Sequence, residues 1–312
     1  MKTKLKESIP FLLILILGAV LRLAYLGVIP HGMHQDESIV AWNAYALFHE
    51  GIDSAGHRLP IYMADWGDGH SPLYVWLIVP FVALNGGHVN SFISRLPQAI
   101  VAILTLIAVY DLMKRLFSKK LGLIAMSLLA ICPWHVMTSR WGLDVDLAPG
   151  FLIFGLYFFV RGLDNKKFLP LSALCYGLVL YCYAVMWPVV PAILVIQGIY
   201  CLYHKKITIN RYTVSSVIIL FLLALPYFLF ILVNSEIIPE INLSFMSIPK
   251  MGGVSGQSGG AQPLGGWVES KDYSQTFDFP GHRCTTGYSS SVGIVLRYRK
   301  GIHSNRRGLR IG

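Results

Sequence analysis

Residues 214–233 read VSSVIILFLLALPYFLFILV, a run of 20 residues without a charged side chain. A helix needs about 20 apolar residues to cross the hydrocarbon core of a bilayer. Because that core offers no water to the backbone, the run must satisfy its own amide groups as a helix. This stretch therefore predicts a membrane-spanning α-helix.

Further apolar blocks precede it, at residues 12–28, 99–110, 121–131, 151–160, 171–183 and 191–203. The 312-residue chain is 54% hydrophobic and 13% charged, whereas soluble domains carry about 25% charged residues. We predict an all-α, polytopic membrane protein with about seven transmembrane helices and additional helices lying on its outer face. The expected spans are 12–28, 93–112, 121–137, 147–163, 168–186, 188–204 and 213–233.

The formal net charge of +10 comes from short basic clusters at the ends of apolar blocks. They lie at residues 2–6, 114–120, 166–167 and 204–211. This arrangement is typical of the positive-inside bias of membrane proteins and argues against nucleic acid as a partner. We predict a multi-pass protein of the cell membrane with a cytoplasmic amino terminus.

The apolar segment 72–84 does not fit a simple alternation of spans. If it and residues 93–110 both crossed the membrane, Lys114 and every later basic loop would lie outside. Residues 72–84 are the weaker candidate, since they are short and contain Pro72 and Pro80. We predict an interfacial helix on the outer leaflet, which makes residues 29–92 and 138–149 external.

The first external region opens with the acidic pair Asp36-Glu37. The apolar spacing that follows predicts a short amphipathic helix beginning at Asp36. Asp36 suits two roles, the N-cap of that helix and a chemically active carboxylate beside the membrane. The local sequence leaves both open.

Farther along, Asp65-Trp-Gly-Asp68-Gly-His70-Ser-Pro-Leu-Tyr74 combines glycines with two carboxylates. This composition favours turn chemistry for Asp65 and Asp68. Tyr74 is a natural anchor at the membrane interface.

In the second external region, Arg140, Asp144 and Asp146 lie at the mouth of two predicted spans. Ionisable residues beside the hydrocarbon core are costly and usually have a partner or a function. Arg95 opens the second span from the same side, where a snorkelling anchor and a functional cation are equally consistent with the sequence.

The order of these features resembles the GT-C glycosyltransferases. The set comprises a first span, Asp36-Glu37, a Pro-Leu-Tyr segment, Arg95-Leu-Pro, a basic hairpin, Pro133-Trp-His135, and Arg140 followed by Asp144. More narrowly, it is similar to the protein O-mannosyltransferase and aminoarabinose-transferase branch (family 39 type), over about residues 8 to 250. The resemblance implies transfer of a sugar from a polyprenyl-phosphate carrier to a hydroxyl acceptor at the outer face.

The resemblance also implies the central roles. Asp36, with Glu37 beside it, would be the general base that takes the proton of the acceptor hydroxyl. The hydroxyl would then attack the anomeric carbon with inversion as the lipid phosphate leaves. Arg95 would neutralise that phosphate, for which a guanidinium is geometrically suited.

Other positions are carried over as substrate or metal contacts. His70, Tyr74 and Arg140 would contact substrate, and Asp144 or Asp146 would help bind a divalent cation or the acceptor. The sequence departs from the family at His70-Ser, where relatives often carry Lys. The charge of a histidine depends on pH, which leaves the donor sugar open.

Residues 252–312 differ in character from residues 1–251, the predicted transmembrane catalytic region. They begin with a Gly/Ser-rich, linker-like stretch and continue as a basic, aperiodic tail. We expect disorder there, or an aberrant tail on a truncated chain, because relatives continue with further spans and an outer domain. Whether such a fragment is active stays open.

Two alternatives belong to other functional classes. A transporter or flippase of a lipid-linked substrate would place charges near the middle of spans, whereas here they gather at one face. A non-catalytic scaffold would leave the external carboxylates without a purpose. The expected partners are a polyprenyl-phosphate-linked sugar, membrane lipids and an acceptor in a protein, lipid or cell-wall glycan.

Overall fold

The computed structural model describes residues 2–65, 68–206, 208–243, 246–251, 275–279, 282–287 and 295–298. It divides into two units, residues 1–254 and 255–312. The helices of the first unit are α1 Lys2–Leu23, α2 Gln35–Glu50, α3 Leu73–Leu84, α4 Ser91–Leu116, α5 Lys119–Ile131, α6 Pro133–Thr138, α7 Leu147–Asp164, α8 Leu169–Val179, α9 Met186–Tyr203 and α10 Arg211–Asn234, with a 3-10 turn at Lys166–Phe168.

Two small antiparallel hairpins accompany these helices. β1 Met63–Asp65 pairs with β2 Asp68–His70, and β3 Ile241–Asn242 pairs with β4 Ser247–Ile248. The first hairpin occupies the stretch predicted to turn, of which residues 66–67 lie outside the described part.

Among the described residues, four helices are long and apolar enough to cross a membrane: α4, α7, α9 and α10. Shorter apolar helical stretches lie at Ile9–Leu23 and Leu73–Leu84. The predicted all-α, polytopic membrane class is confirmed. The predicted span 12–28 overlaps the end of α1, whose apolar stretch is Ile9–Leu23, and the predicted spans 121–137 and 168–186 correspond to shorter helices.

Two predicted spans are interrupted. The span 121–137 divides into α5 and α6 at Cys132, whose backbone is extended (φ −60°, ψ 118°). Pro133 causes the break, because a proline disfavours the helical conformation of the residue before it. The span 168–186 is helical in α8 only to Val179, and turns follow before α9 begins.

The start of α2 corrects one sequence prediction. The N-cap is His34, whose Nδ1 accepts a hydrogen bond from the Asp36 N–H (3.3 Å), and Glu37 closes the capping box on the His34 N–H (3.3 Å). The reading of Asp36 as N-cap is therefore wrong, because the helix begins one residue earlier, at Gln35. The Asp36 side chain is instead 68% exposed.

The segment 72–84 is helical as predicted, in α3. This helix packs against α2 and α4, and its residues Tyr74, Val75, Ile78 and Val82 are fully buried. The same core holds buried residues of α2, α7 and α8. The flat orientation of α3 on the outer leaflet stays a prediction.

The second unit contains three described strands. They are β5 Gln275–Phe279, β6 His282–Gly287 and β7 Val295–Tyr298, which form an antiparallel sheet in that order. The predicted Gly/Ser-rich linker, residues 252–266, lies outside the described residues, as does most of the tail.

Candidate functional site

A buried ion pair joins the start of α2 to the start of α4. Arg95 donates from Nε to Glu37 Oε1 (2.6 Å) and from Nη2 to Glu37 Oε2 (3.0 Å). Both side chains are buried, with exposed fractions of 0% and 1%. A charge removed from water must be paired and hydrogen-bonded to be tolerated, and this bidentate geometry meets that condition.

The remaining N–H groups of Arg95 bind the loop between α1 and α2. Nη1 donates to the carbonyl oxygens of Leu26 (3.1 Å) and Pro30 (3.0 Å), and Nη2 donates to that of Gly32 (2.6 Å). A guanidinium has five donors, and in the described structure all five are used. Contact between Arg95 and the carrier phosphate stays a prediction, which would require one of these bonds to be given up.

Glu37 also connects the loop between α6 and α7 to the pair. Its Oε1 accepts a hydrogen bond from the Gly142 N–H (3.2 Å). A Cβ at Gly142 would lie 2.9 Å from Ser94 Oγ and 3.1 Å from Glu37 Oε1, so the close approach requires glycine. The pair thus fixes the positions of α2, α4 and the loop after α6 relative to one another.

A cavity of about 220 Å³ opens beside this cluster. Asp36, His70 and Asp144 line it, together with the aromatic rings of Tyr62 and Tyr183. We call it the Asp36 pocket. The structure thus brings together three predicted site residues from three separate segments, and the exposed Asp36 carboxylate lies at its edge.

Asp144 is held in this pocket by backbone donors. Its Oδ2 accepts from the Ser71 N–H (3.1 Å) and its Oδ1 from the Val145 N–H (2.9 Å). Burial raises the pKa of Asp144, while the charge of His70 and these hydrogen bonds oppose the rise.

Two predicted substrate contacts serve the scaffold in this structure. Tyr74 is fully buried and its hydroxyl donates to the Ser94 carbonyl oxygen (2.7 Å). Arg140 donates to the carbonyl oxygens of Leu21 (2.8 Å) and Ala24 (2.7 Å) at the end of α1, and to that of Ile29 (3.0 Å). A substrate contact by either residue stays a prediction.

Asp146 lines a different cavity from Asp144. This second cavity, of about 10 Å³, lies between α4, α6 and α7, and Gln98 and His135 also line it. Burial and repulsion from Asp144 raise the pKa of Asp146 to about 7. In the described residues no group of three or more His, Cys, Asp or Glu side chains could hold a metal ion, so a divalent cation at Asp144 or Asp146 stays a prediction.

Sequence reasoning gave no role to Arg22 or Gln98, and it used His135 only as part of the Pro133-Trp-His motif. Arg22 is fully buried although it lies in the first apolar block, and its Nη2 contacts His135 Nδ1 at 2.6 Å. A charge inside an apolar block is itself a signal, because such residues are rare and have partners. Gln98 gave no comparable signal.

Comparison with known proteins gives a family match and similar solved structures. The family profile described as dolichyl-phosphate-mannose-protein mannosyltransferase matches residues 69–231. No curated protein sequence matches the chain. Crystal structures of ArnT from Cupriavidus metallidurans superpose with a TM-score of 0.57 at 15% identity, both in the apo state and bound to undecaprenyl phosphate.

The solved relatives are longer than this chain. The two ArnT structures cover 73% and 74% of it, and it covers 43% of them. The Archaeoglobus fulgidus oligosaccharyltransferase, crystallised with Zn and sulfate, gives a TM-score of 0.53 at 15% identity, with 69% of this chain and 31% of that chain covered. At this identity the likeness shows the fold alone.

Proposed function

This chain belongs to the dolichyl-phosphate-mannose-protein mannosyltransferase family, and on that premise we propose that it transfers a sugar from a polyprenyl-phosphate carrier to a hydroxyl acceptor at the outer face of the membrane. The predicted resemblance to GT-C glycosyltransferases is confirmed by the family match and by the ArnT-like fold. The carrier is inferred from the family's description and from the undecaprenyl phosphate bound to ArnT.

The Asp36 pocket is the observation that carries the proposal. Its lining includes the exposed carboxylate of Asp36, a histidine and a partly buried carboxylate. A general base must be reachable by the hydroxyl whose proton it removes. Asp36 meets this requirement, whereas Glu37 is enclosed by Arg95 and the Gly142 N–H.

The proposed reaction is a single displacement. The Asp36 carboxylate accepts the proton of the acceptor hydroxyl. At the same time the hydroxyl oxygen forms a bond to the anomeric carbon of the donor sugar. The bond from that carbon to the phosphate oxygen breaks, its electron pair remains on the polyprenyl phosphate, and the anomeric configuration inverts. Glu37 is a positioning residue in this scheme, since it holds the start of α2 against α4.

His70 is the candidate contact for the donor phosphate. It lines the Asp36 pocket, and a protonated imidazole donates to phosphate oxygens. Glu37 balances the charge of Arg95, so Arg95 would contact the phosphate only if one of its present hydrogen bonds were given up. Which sugar is transferred, and whether the acceptor is a protein, a lipid or a cell-wall glycan, is left open by these residues.

Replacement of Asp36 by Asn tests the proposal. Membranes containing the full chain are supplied with radiolabelled polyprenyl-phosphate sugars and extracted acceptors, and transfer is measured over time. Loss of a general base lowers such rates by about 10²–10⁴-fold, so Asp36→Asn should reduce transfer by at least about 100-fold. Asp164→Asn, the same change at the exposed end of α7, should leave transfer unchanged. Full transfer by Asp36→Asn would remove Asp36 as the base.

A further inference from the structure

Arg22 carries a buried charge close to the end of α1. Its Nη1 donates to the carbonyl oxygens of Gly18 (2.9 Å) and Ala130 (3.0 Å), and its Nη2 donates to that of Leu129 (3.1 Å). The side chain is fully buried. Within the described residues no carboxylate lies at ion-pair distance from it. A buried cation bonded only to neutral groups is costly, which raises the question of where its counter-charge lies.

His135 connects Arg22 to the residues that could supply this counter-charge. A guanidinium only donates, so His135 Nδ1, 2.6 Å from Arg22 Nη2, must be the acceptor. The imidazole is then neutral and carries its proton on Nε2. His135 also lines the cavity between α4, α6 and α7, so Arg22 and this cavity are joined through one ring.

Two acceptor atoms of this cavity's residues lack a partner in the described part of the chain. They are Gln98 Oε1 and Asp146 Oδ2, both buried. Gln98 is only 3% exposed, and its amide nitrogen is already fixed by a hydrogen bond to the Asp146 carbonyl oxygen (2.8 Å). Buried polar atoms of this kind are nearly always hydrogen-bonded to protein or to ordered water.

We propose that Gln98, His135 and Asp146 bind one buried water molecule, which links the Asp146 carboxylate to Arg22 as its counter-charge. The water donates to Gln98 Oε1 and Asp146 Oδ2 and accepts from His135 Nε2–H. These three hydrogen bonds match the usual coordination of a buried water, and a cavity of about 10 Å³ is close to the smallest volume that holds one. This chain of hydrogen bonds from Arg22 through His135 and the water to Asp146, which we call the relay, gives His135 a role that the transfer reaction does not supply.

A sodium ion is the competing occupant of the same size. It would be held by the same two oxygens, but it would add a second positive charge beside Arg22 and meet the proton of His135 Nε2. Water fits all three groups, whereas a cation fits two of them.

Because burial and Asp144 raise the pKa of Asp146 to about 7, coupling between Arg22 and Asp146 is measured above about pH 8.5, where the carboxylate is ionised. Four forms of the full chain are compared in detergent: the unchanged chain, Arg22→Met, Asp146→Asn and the double variant. Thermal unfolding is followed by tryptophan fluorescence. We expect Tm losses of about 5 °C or more for each single variant. The double variant should lose at least about 2 °C less than their sum, because each change removes the same relay. Additive losses would overturn the proposal.

If Arg22→Met does not fold, His135→Ala breaks the same link, and the cycle with Asp146→Asn is run on it with the same criterion. Asp164→Asn, at the far end of α7, should combine additively with either background. A high-resolution cryo-electron microscopy map should show a density peak within hydrogen-bond distance of Gln98 Oε1 and Asp146 Oδ2. A direct hydrogen bond from a protonated Asp146 Oδ2–H to Gln98 Oε1 without a density peak, or a Tm that rises when sodium replaces choline, would refute the water.

Discussion

Arg95 holds the carboxylate of Glu37 through two hydrogen bonds of 2.6 and 3.0 Å, one residue away from the exposed carboxylate of Asp36. Adjacent acidic residues therefore have opposite environments. The inner carboxylate ties three segments together, and the outer one faces the pocket and the solvent. A strong tether beside a reactive group restricts that group's position, which is what general-base catalysis needs.

Removal of one partner of this pair should destabilise the fold strongly. Arg95→Met leaves the Glu37 charge buried without a cation and frees the carbonyl oxygens of Leu26, Pro30 and Gly32. Breaking a buried pair in this way costs about 3–5 kcal/mol. We expect a correspondingly lower Tm, and partial recovery in the double variant Glu37→Leu/Arg95→Met, measured by thermal unfolding in detergent.

The control for this prediction is the Arg115–Asp111 pair, whose Nε–Oδ2 distance of 2.7 Å is almost the same. This pair is partly exposed, and such pairs contribute about 0–1 kcal/mol. Arg115→Met should therefore change Tm little. Equal losses at Arg95 and Arg115 would contradict the structural role of the Glu37 pair.

The glycine at position 142 should tolerate no side chain. In Gly142→Ala the new Cβ would lie 2.9 Å from Ser94 Oγ and 3.1 Å from Glu37 Cγ. Glu37 is held by Arg95 and has little freedom to withdraw, so we expect a loss of about 1–3 kcal/mol and weaker sugar transfer. Gly198→Ala on α9, where a Cβ meets nothing within 4 Å, should be neutral or stabilising. An unchanged Tm in Gly142→Ala would show that the loop can move away.

The sequence predicted several residues of this site but not their contacts. The charge pattern predicts one membrane face for the segments that carry Asp36, Arg95 and Asp144. It does not predict that Asp36 and Asp144 line one pocket with His70, whereas Arg95 pairs with Glu37. The Glu37–Arg95 pair was not predictable, because the partners are 58 residues apart and nothing in local spacing selects one carboxylate of an acidic pair over the other. The break at Cys132 was predictable from Pro133, but a prediction based on hydrophobicity alone does not take the proline into account.

The His57–Asp53 contact should make the loop before β1 sensitive to pH. The Asp53 carboxylate, 3.3 Å from His57 Nδ1, raises the pKa of His57 through its hydrogen bond, against the effect of burial, and the more distant Glu240 adds to the rise. A raised histidine pKa stabilises the folded loop at low pH. This contribution is full below the unfolded pKa of about 6.5 and is lost as pH rises through the higher folded value.

Amide hydrogen exchange in this loop measures the effect. Protection should fall between about pH 6 and pH 8, after correction for the intrinsic pH dependence of exchange. His57→Gln removes the titrating group and should show a flat profile over the same range. A pH-dependent loss of protection that persists in His57→Gln would assign it to another group.

The orientation of the pocket depends on α3 staying at the surface of the membrane, and cysteine labelling tests it. With the five native cysteines replaced by serine, a single cysteine is placed at Ser118, before α5, or at Ser54, in the loop before β1. Both serines are exposed.

The positive-inside bias predicts that the basic hairpin around Ser118 lies in the cytoplasm, whereas Ser54 should lie outside. A membrane-impermeant maleimide applied to intact cells should therefore label Ser54→Cys and reach Ser118→Cys only after the cells are opened. Labelling of Ser118→Cys in intact cells would mean that α3 crosses the bilayer. The segments carrying Asp36 and Asp144 would then be expected on opposite faces, which the shared pocket does not allow.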